Sequence, residues 1–282
     1  MIHPILSENE SESNILPINL FTNFLNYIEK TQNVKSCYAN SHLINEQIVI
    51  NFKELKYTIP YDYSEKLHKC KNVDYIIIPI SLVYSDYSHY NIVIINNKKK
   101  TFEYFEPIGD QRIHLLPYFE VEAHIYGIVN WILKNSVKQY KFINAHLGCP
   151  MGLQKKQMSV FEESLQGQYG PKLENGKMYG YYGLCVAWCL LIIHLRILNP
   201  NENINDITSE LIKNQELHKY IRQYVHLIEN TSYNNPRKYI KQNIYDLKLT
   251  KNEIKYNTRD KKLIEEKKGY NKLLYFLFKD KK

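Results

Sequence analysis

Three residues carry the groups of an acyl-transfer site: a thiol at Cys185, an imidazole at His89 and a carboxylate at Glu106. In such a site a thiolate attacks a carbonyl carbon. The imidazole moves the proton, and the carboxylate holds the ring in one tautomer. His89 lies in Ser-His-Tyr-Asn at the head of an apolar run, and Glu106 follows 17 positions later. Cys185 lies in Gly-Leu-Cys-Val-Ala-Trp, where a glycine-punctuated stretch passes into an apolar segment. A cysteine in the first turn of a helix feels the positive end of the helix dipole, which lowers its pKa. Each residue also has a plainer role: a small core side chain, a polar residue at a strand edge, a strand terminus. Cys189, one helical turn deeper, is expected to be buried and inert.

The elements around them decide whether the three can meet. Residues 91–96 and 101–106 predict two strands of a hairpin. A tight turn at Asn97-Lys98 would set His89 directly opposite Glu106 on one face, with Cβ atoms roughly 5 Å apart. A turn one residue longer would shift that register. Residues 184–198 are apolar almost all round, apart from His194 and Arg196, and predict a buried central helix stopped by Asn199-Pro200. Residues 19–31, 121–138, 205–214 and 216–229 show helical periodicity, and 48–57 and 75–80 read as strands. The Gly- and Pro-punctuated residues 145–182 read as an ordered or semi-ordered loop.

The chain has 282 residues and a net charge of +8. That length accommodates one large domain with an appendage. The division expected is a flexible 1–14, a main domain over 15–230 and a basic extension over 231–282. The last 32 residues hold eleven basic and five acidic side chains, so most of the excess charge sits there. A tail of that kind keeps a chain solvated; clustered lysines also suit a polyanion or nucleic acid. The first twelve residues are polar and acidic, with no apolar core of a secretory signal. Five cysteines, an odd number without a CxxC pair, read as free thiols in a reducing compartment, cytoplasmic or nuclear. No zinc pattern is present, and the longest apolar run is too short to span a bilayer.

The segment SHYNIVIINNKKKTFEYFEPIG, residues 88–109, resembles the His-strand-turn-strand-acid block of the SUMO-specific protease superfamily. That group includes the adenovirus maturation protease adenain, the African swine fever virus polyprotein protease and predicted thiol proteases of giant viruses. Tyr90 stands where the family often has tryptophan. Glu106 stands where cellular members have aspartate and adenain has glutamate. GLCVAWCLLIIHLRILNP, residues 183–200, resembles the nucleophile helix, and CPMGLQ, residues 149–154, the loop that brings an oxyanion-hole glutamine. The order His, acid, Gln, Cys is the family's. Two departures stand out. Gln154 precedes Cys185 by 31 positions, farther than in cellular members, and Gln166 and Gln168 are nearer. Leu184 replaces the aspartate that precedes the cysteine in SUMO proteases.

The resemblance implies an α+β, papain-like cysteine protease fold of the adenain type, with a central mixed sheet packed on a buried nucleophile-bearing helix. It implies His89, Glu106, Cys185 and Gln154 as catalytic residues, no cofactor or metal, and a protein substrate. A viral precursor polypeptide is favoured, in a host cell or virion; a ubiquitin or SUMO conjugate is the rival. A related Cys-His-Glu acetyltransferase would need a coenzyme A pocket and an inositol phosphate site. A silent scaffold would keep the fold without the chemistry.

Overall fold

In the segments 75–80 and 92–95 every side chain is apolar, so both alternating sets demand cover and a sheet built from them must be buried on both faces. The computed structural model describes residues 1–6, 8, 19–38, 47–51, 56–60, 63, 67, 70, 72–83, 88–109, 118–134, 137–145, 152–153, 172–174, 177–179 and 184–232. Its elements are α1 (Asn19–Gln32), β1 (Ser36–Tyr38), β2 (Ile48–Asn51), β3 (Lys56–Thr58), β4 (Tyr75–Val83), β5 (Ser88–Asn96), β6 (Thr101–Phe105), α2 (Tyr118–Ile132), β7 (Lys141–Asn144), β8 (Lys172–Glu174), β9 (Lys177–Tyr179), α3 (Cys185–Leu198), α4 (Ile204–Leu211) and α5 (Leu217–Ser232).

The described residues form a mixed seven-stranded sheet in the order β3-β2-β4-β5-β6-β7, with β1 also paired to β4. The β2–β4, β1–β4 and β6–β7 pairs are parallel; β2–β3, β4–β5 and β5–β6 are antiparallel. Tyr75, Ile77, Tyr90, Ile92, Ile94 and Phe105 turn to one face, against α1, α3, α4 and α5. Ile76, Ile78, Ile80, Leu82, Val93, Ile95, Phe102 and Tyr104 turn to the other, against α2. The sheet is thus the middle layer of three, and α3 is the buried helix expected, with Val186 through Ile197 all buried.

Several sequence expectations are corrected here. The expected strand 48–57 folds back on itself: β2 and β3 pair antiparallel, Val49 opposite Thr58, because polar residues interrupt the apolar alternation. The 121–138 helix begins at Tyr118 and ends at Ile132, where Lys134 reverses the chain at φ +50°. The 145–182 loop contains the β8–β9 hairpin. Cys37 and Cys70, expected as free thiols, are disulfide-bonded. The parallel pairing of β1 with β4 closes the 33-residue separation that hides their proximity in the sequence. Cys185 and Cys189 are free, and Cys149 lies outside the described residues.

Candidate active site

The β5–β6 turn is longer than the tight turn expected. Asn96 pairs with Thr101, leaving a four-residue loop, Asn97 to Lys100. The Asn96 side chain accepts from the backbone N–H groups of Lys98 and Lys99, at 3.1 and 2.9 Å. Lys100 closes the loop at φ +52°. The register therefore moves by two residues: Ile92 pairs with Phe105, and by extension Asn91 faces Glu106. A shift of two preserves the side-chain parity, since successive residues alternate faces. His89 and Glu106 remain on one face as diagonal neighbours instead of direct opposites.

They still touch. His89 Nε2 lies 2.5 Å from Glu106 Oε1, and both side chains are buried. The contact is a close ion pair bent away from ideal N–H···O alignment. The same carboxylate oxygen accepts the Ile108 backbone N–H at 3.0 Å, and the Gly109 N–H reaches the Glu106 carbonyl at 3.3 Å. The acid is thus held by its own following turn.

The ladder between β5 and β6 ends at the Ile92–Phe105 pair, and Tyr90 lies two residues beyond it on β5. The first turn of α3 takes up that edge. The Tyr90 N–H donates to the Cys185 sulfur, and the Cys189 thiol donates to the Tyr90 carbonyl at 3.6 Å. This lays the helix start beside His89, whose ring hydrogen-bonds the Cys185 side chain. With Nε2 facing Glu106, Nδ1 is the nitrogen that remains for the thiol. Leu184 caps the helix without a side-chain hydrogen bond, and no acidic residue sits in the first turn. The positive end of the helix dipole therefore favours a negative charge there.

The electrostatics follow from these contacts. Burial is the strongest single influence on His89 and works to lower its pKa. Glu106 and Cys185 together outweigh it and raise the imidazole to about 9. Burial likewise works to raise the Cys185 pKa, but the bond to His89, its charge and the Tyr90 N–H bring the thiol below its ordinary value. The balance favours a thiolate beside an imidazolium. Cys189 has no such partner, and burial pushes its pKa well up. Cys185 keeps some exposure, whereas Cys189 is buried.

The structure brings together His89, Glu106 and Cys185. Gln154, Gln166 and Gln168 lie outside the described residues. Sequence reasoning missed Asn91, fully buried, whose Nδ2 donates to the His89 carbonyl at 3.0 Å and whose Oδ1 accepts from the Tyr104 hydroxyl at 3.2 Å. An asparagine inside an apolar strand was the available signal. Also missed was the bidentate pair in which Arg196 donates to both carboxylate oxygens of Glu103, at 2.7 and 2.8 Å, tying the far end of α3 to β6. Among the described residues no group of His, Cys, Asp and Glu side chains could hold a metal ion, and no helix is long and apolar enough to cross a membrane.

No family model matches the chain, and no curated protein matches it. Similar solved structures include ChlaDub1 from Chlamydia trachomatis, 12% identical over 82% of this chain and 97% of that one, at a TM-score of 0.46. The Chlamydia trachomatis effector Cdu1 bound to ubiquitin is 12% identical over 79% of this chain and 97% of that one, at 0.48. The C-terminal Ulp1 protease domain in complex with Smt3, the yeast ortholog of SUMO, is 15% identical over 77% and 78%, at 0.35. Likeness at these scores carries no argument about activity; the chemistry of the site rests on its own geometry.

Proposed function

We propose that the chain is a cysteine peptidase that hydrolyses peptide or isopeptide bonds, with Cys185 as nucleophile, His89 as general acid and base, and Glu106 as the group that orients and charges the ring. One observation carries this reading: a buried imidazole bridges a carboxylate and a partly exposed thiol in the first turn of a helix. The Cys185 thiolate attacks the substrate carbonyl carbon and forms a tetrahedral oxyanion. His89 then gives its Nδ1 proton to the leaving amine as the C–N bond breaks, leaving a thioester. Neutral His89 takes a proton from water, and the resulting hydroxide cleaves the C–S bond, releasing the acid and restoring the thiolate. The Cys185 backbone N–H at the helix start is one oxyanion donor, and the Gln154 amide is proposed as the second. A donor of this kind lowers the barrier by roughly 3–4 kcal/mol.

For substrate we favour a viral precursor polypeptide, supported by the resemblance of residues 88–109 and 183–200 to the viral members of that superfamily. A ubiquitin-like conjugate is the second arm of the test. The decisive experiment offers the chain peptide-like electrophiles built on precursor sequences, on ubiquitin and on SUMO, and maps the adduct by mass spectrometry. The adduct is expected on Cys185, absent in Cys185→Ala and retained in Cys189→Ala. Loss of a catalytic nucleophile costs roughly a millionfold in turnover. Labelling on Cys189, or no selective labelling by any of the three, would end the peptidase reading.

A further inference from the structure

Gly152 has a backbone that no other residue could supply at its position. Its φ is +72°, and a Cβ placed on it would fall 2.1 Å from the Ile108 carbonyl carbon and 2.3 Å from both the Ile108 oxygen and the Gly109 nitrogen. All three are backbone atoms, so none can swing aside. Gly152 is therefore pressed flat against the Ile108–Gly109 peptide. That peptide belongs to the turn holding the acid, since the Ile108 N–H donates to Glu106 Oε1 and the Gly109 N–H to the Glu106 carbonyl. Oε1 is also the oxygen that faces His89. Gly109 itself adopts φ +80° to complete the turn. The next residue, Leu153, is fully buried in the core cluster against which Cys185 packs. Residues 152 and 153 thus join the acid's turn to the packing around the thiol.

We infer that Gly152 is a positioning residue of the active site: its close backbone approach clamps the turn at 106–109 and so fixes the carboxylate oxygen against His89. The inference rests on the peptidase reading and adds to it a positioning part for a residue outside the triad. A side chain at 152 must push the 108–109 peptide away, and Oε1 moves with it. Displacements near 1 Å at such a contact cost up to about a hundredfold in rate.

The test measures iodoacetamide alkylation of Cys185 against pH in wild type, Gly152→Ala, Gly152→Asn, Glu106→Gln and the Gly152→Ala/Glu106→Gln double variant, with thermal unfolding alongside. Gly152→Ala is expected to slow alkylation at neutral pH by about tenfold to a hundredfold and to shift the profile as Glu106→Gln does. In the double variant the glycine change should add no more than about twofold, because both act through one carboxylate. Asparagine tolerates positive φ but carries a Cβ, so Gly152→Asn should resemble Gly152→Ala; recovery by asparagine would show that only the dihedral mattered and overturn the clamp. A folded Gly152→Ala with the wild-type profile, or losses that multiply in the double variant, would overturn it too. If the glycine variants do not fold, hydrogen exchange on the wild-type chain decides: strong protection of the Ile108 and Gly109 amides supports the clamp, and exchange at open-chain rates refutes it. Absence of selective Cys185 alkylation in wild type would strike the peptidase reading instead, and exchange would still test the clamp.

Discussion

His89 and His194 are equally buried, each 4% exposed, yet the fold drives them in opposite directions. His194 lies within α3, with Nδ1 3.2 Å from the Tyr224 hydroxyl. Burial pulls its pKa down to about 4, so it is a neutral core residue at pH 7. His89 suffers the same penalty and reaches about 9, because a carboxylate and a thiol face its two nitrogens. The two cysteines of α3 repeat the contrast. Cys185 meets an imidazole and a strand N–H at the helix start and is acidified; Cys189, four residues on, meets a carbonyl and is not. Burial sets the size of what is at stake, and the immediate partner sets the sign. Reactive groups here are the buried ones that a neighbouring opposite charge keeps ionised.

The sharpest way to break that contrast is to remove the charge from Glu106 while keeping its shape. Glu106→Gln leaves an amide beside Nε2, so the ring loses its anionic partner and its preferred tautomer. The expected fall in kcat/KM is roughly a hundredfold to ten-thousandfold, by analogy with the orienting acid of serine proteases. The alkaline fall in activity reports loss of the proton that His89 donates. In the wild type it should lie near pH 9, set by the coupled thiol and imidazole together. In Glu106→Gln it should move toward neutrality. A variant whose alkaline fall stays near pH 9 would show that something other than Glu106 sustains the imidazolium.

How much of this was readable depends on which physical signal each part leaves in the chain. The buried helix α3 was legible because an unbroken apolar run from Leu184 has one dry solution, and its observed start at Cys185 is where the glycine-punctuated stretch ends. The meeting of His89 with Glu106 was legible for a subtler reason. The turn came out two residues longer than expected, and an even shift leaves the faces unchanged. An odd error would have parted them. β1 and β7, at three and four residues, are too short for a period to show. The Cys37–Cys70 bond and the Arg196–Glu103 pair span 33 and 93 residues and have no local signature. Long-range polar partners are set by the packing of elements, which the apolar pattern determines only coarsely.

The far end of α3 supplies a control for the near end. Glu103 and Arg196 are as buried as His89 and Glu106, and their fork-to-carboxylate geometry is good, but the guanidinium keeps its charge throughout the working pH range. Glu103→Gln leaves the guanidinium buried without its counter-charge. The expected cost is about 3–5 kcal/mol of folding stability, read from urea unfolding. The alkaline limb of activity in the folded variant should stay where it is in the wild type. A stability loss under about 1 kcal/mol, the scale of an exposed pair, would mean that water reaches the pair. A moved alkaline limb would mean that the two ends of the helix are coupled.

The smallest expected effect tests His194 as the neutral counterpart. Its folded pKa of about 4 lies below the 6.5 of an unperturbed imidazole. Between those values the unfolded chain binds a proton that the folded chain refuses. Stability therefore falls as pH drops from 6.5 toward 4, by at most about 1.4 kcal/mol per pH unit from this group. His89 has the opposite sign: raised to about 9, its contribution is full below 6.5 and fades as pH rises to 9. His194→Gln keeps an amide for the Tyr224 hydroxyl and removes the titration. Urea unfolding at pH 7.0, 5.5 and 4.5 should then show a shallower acid slope than wild type, though not a flat one, because half-buried His124 is also held near 4. At pH 7 the variant should lie within roughly 1–2 kcal/mol of wild type, the scale of one altered buried hydrogen bond. An unchanged acid slope would mean that His194 accepts its proton inside the fold, and the rule that burial without a charged partner neutralises a group would fail at the residue chosen to illustrate it.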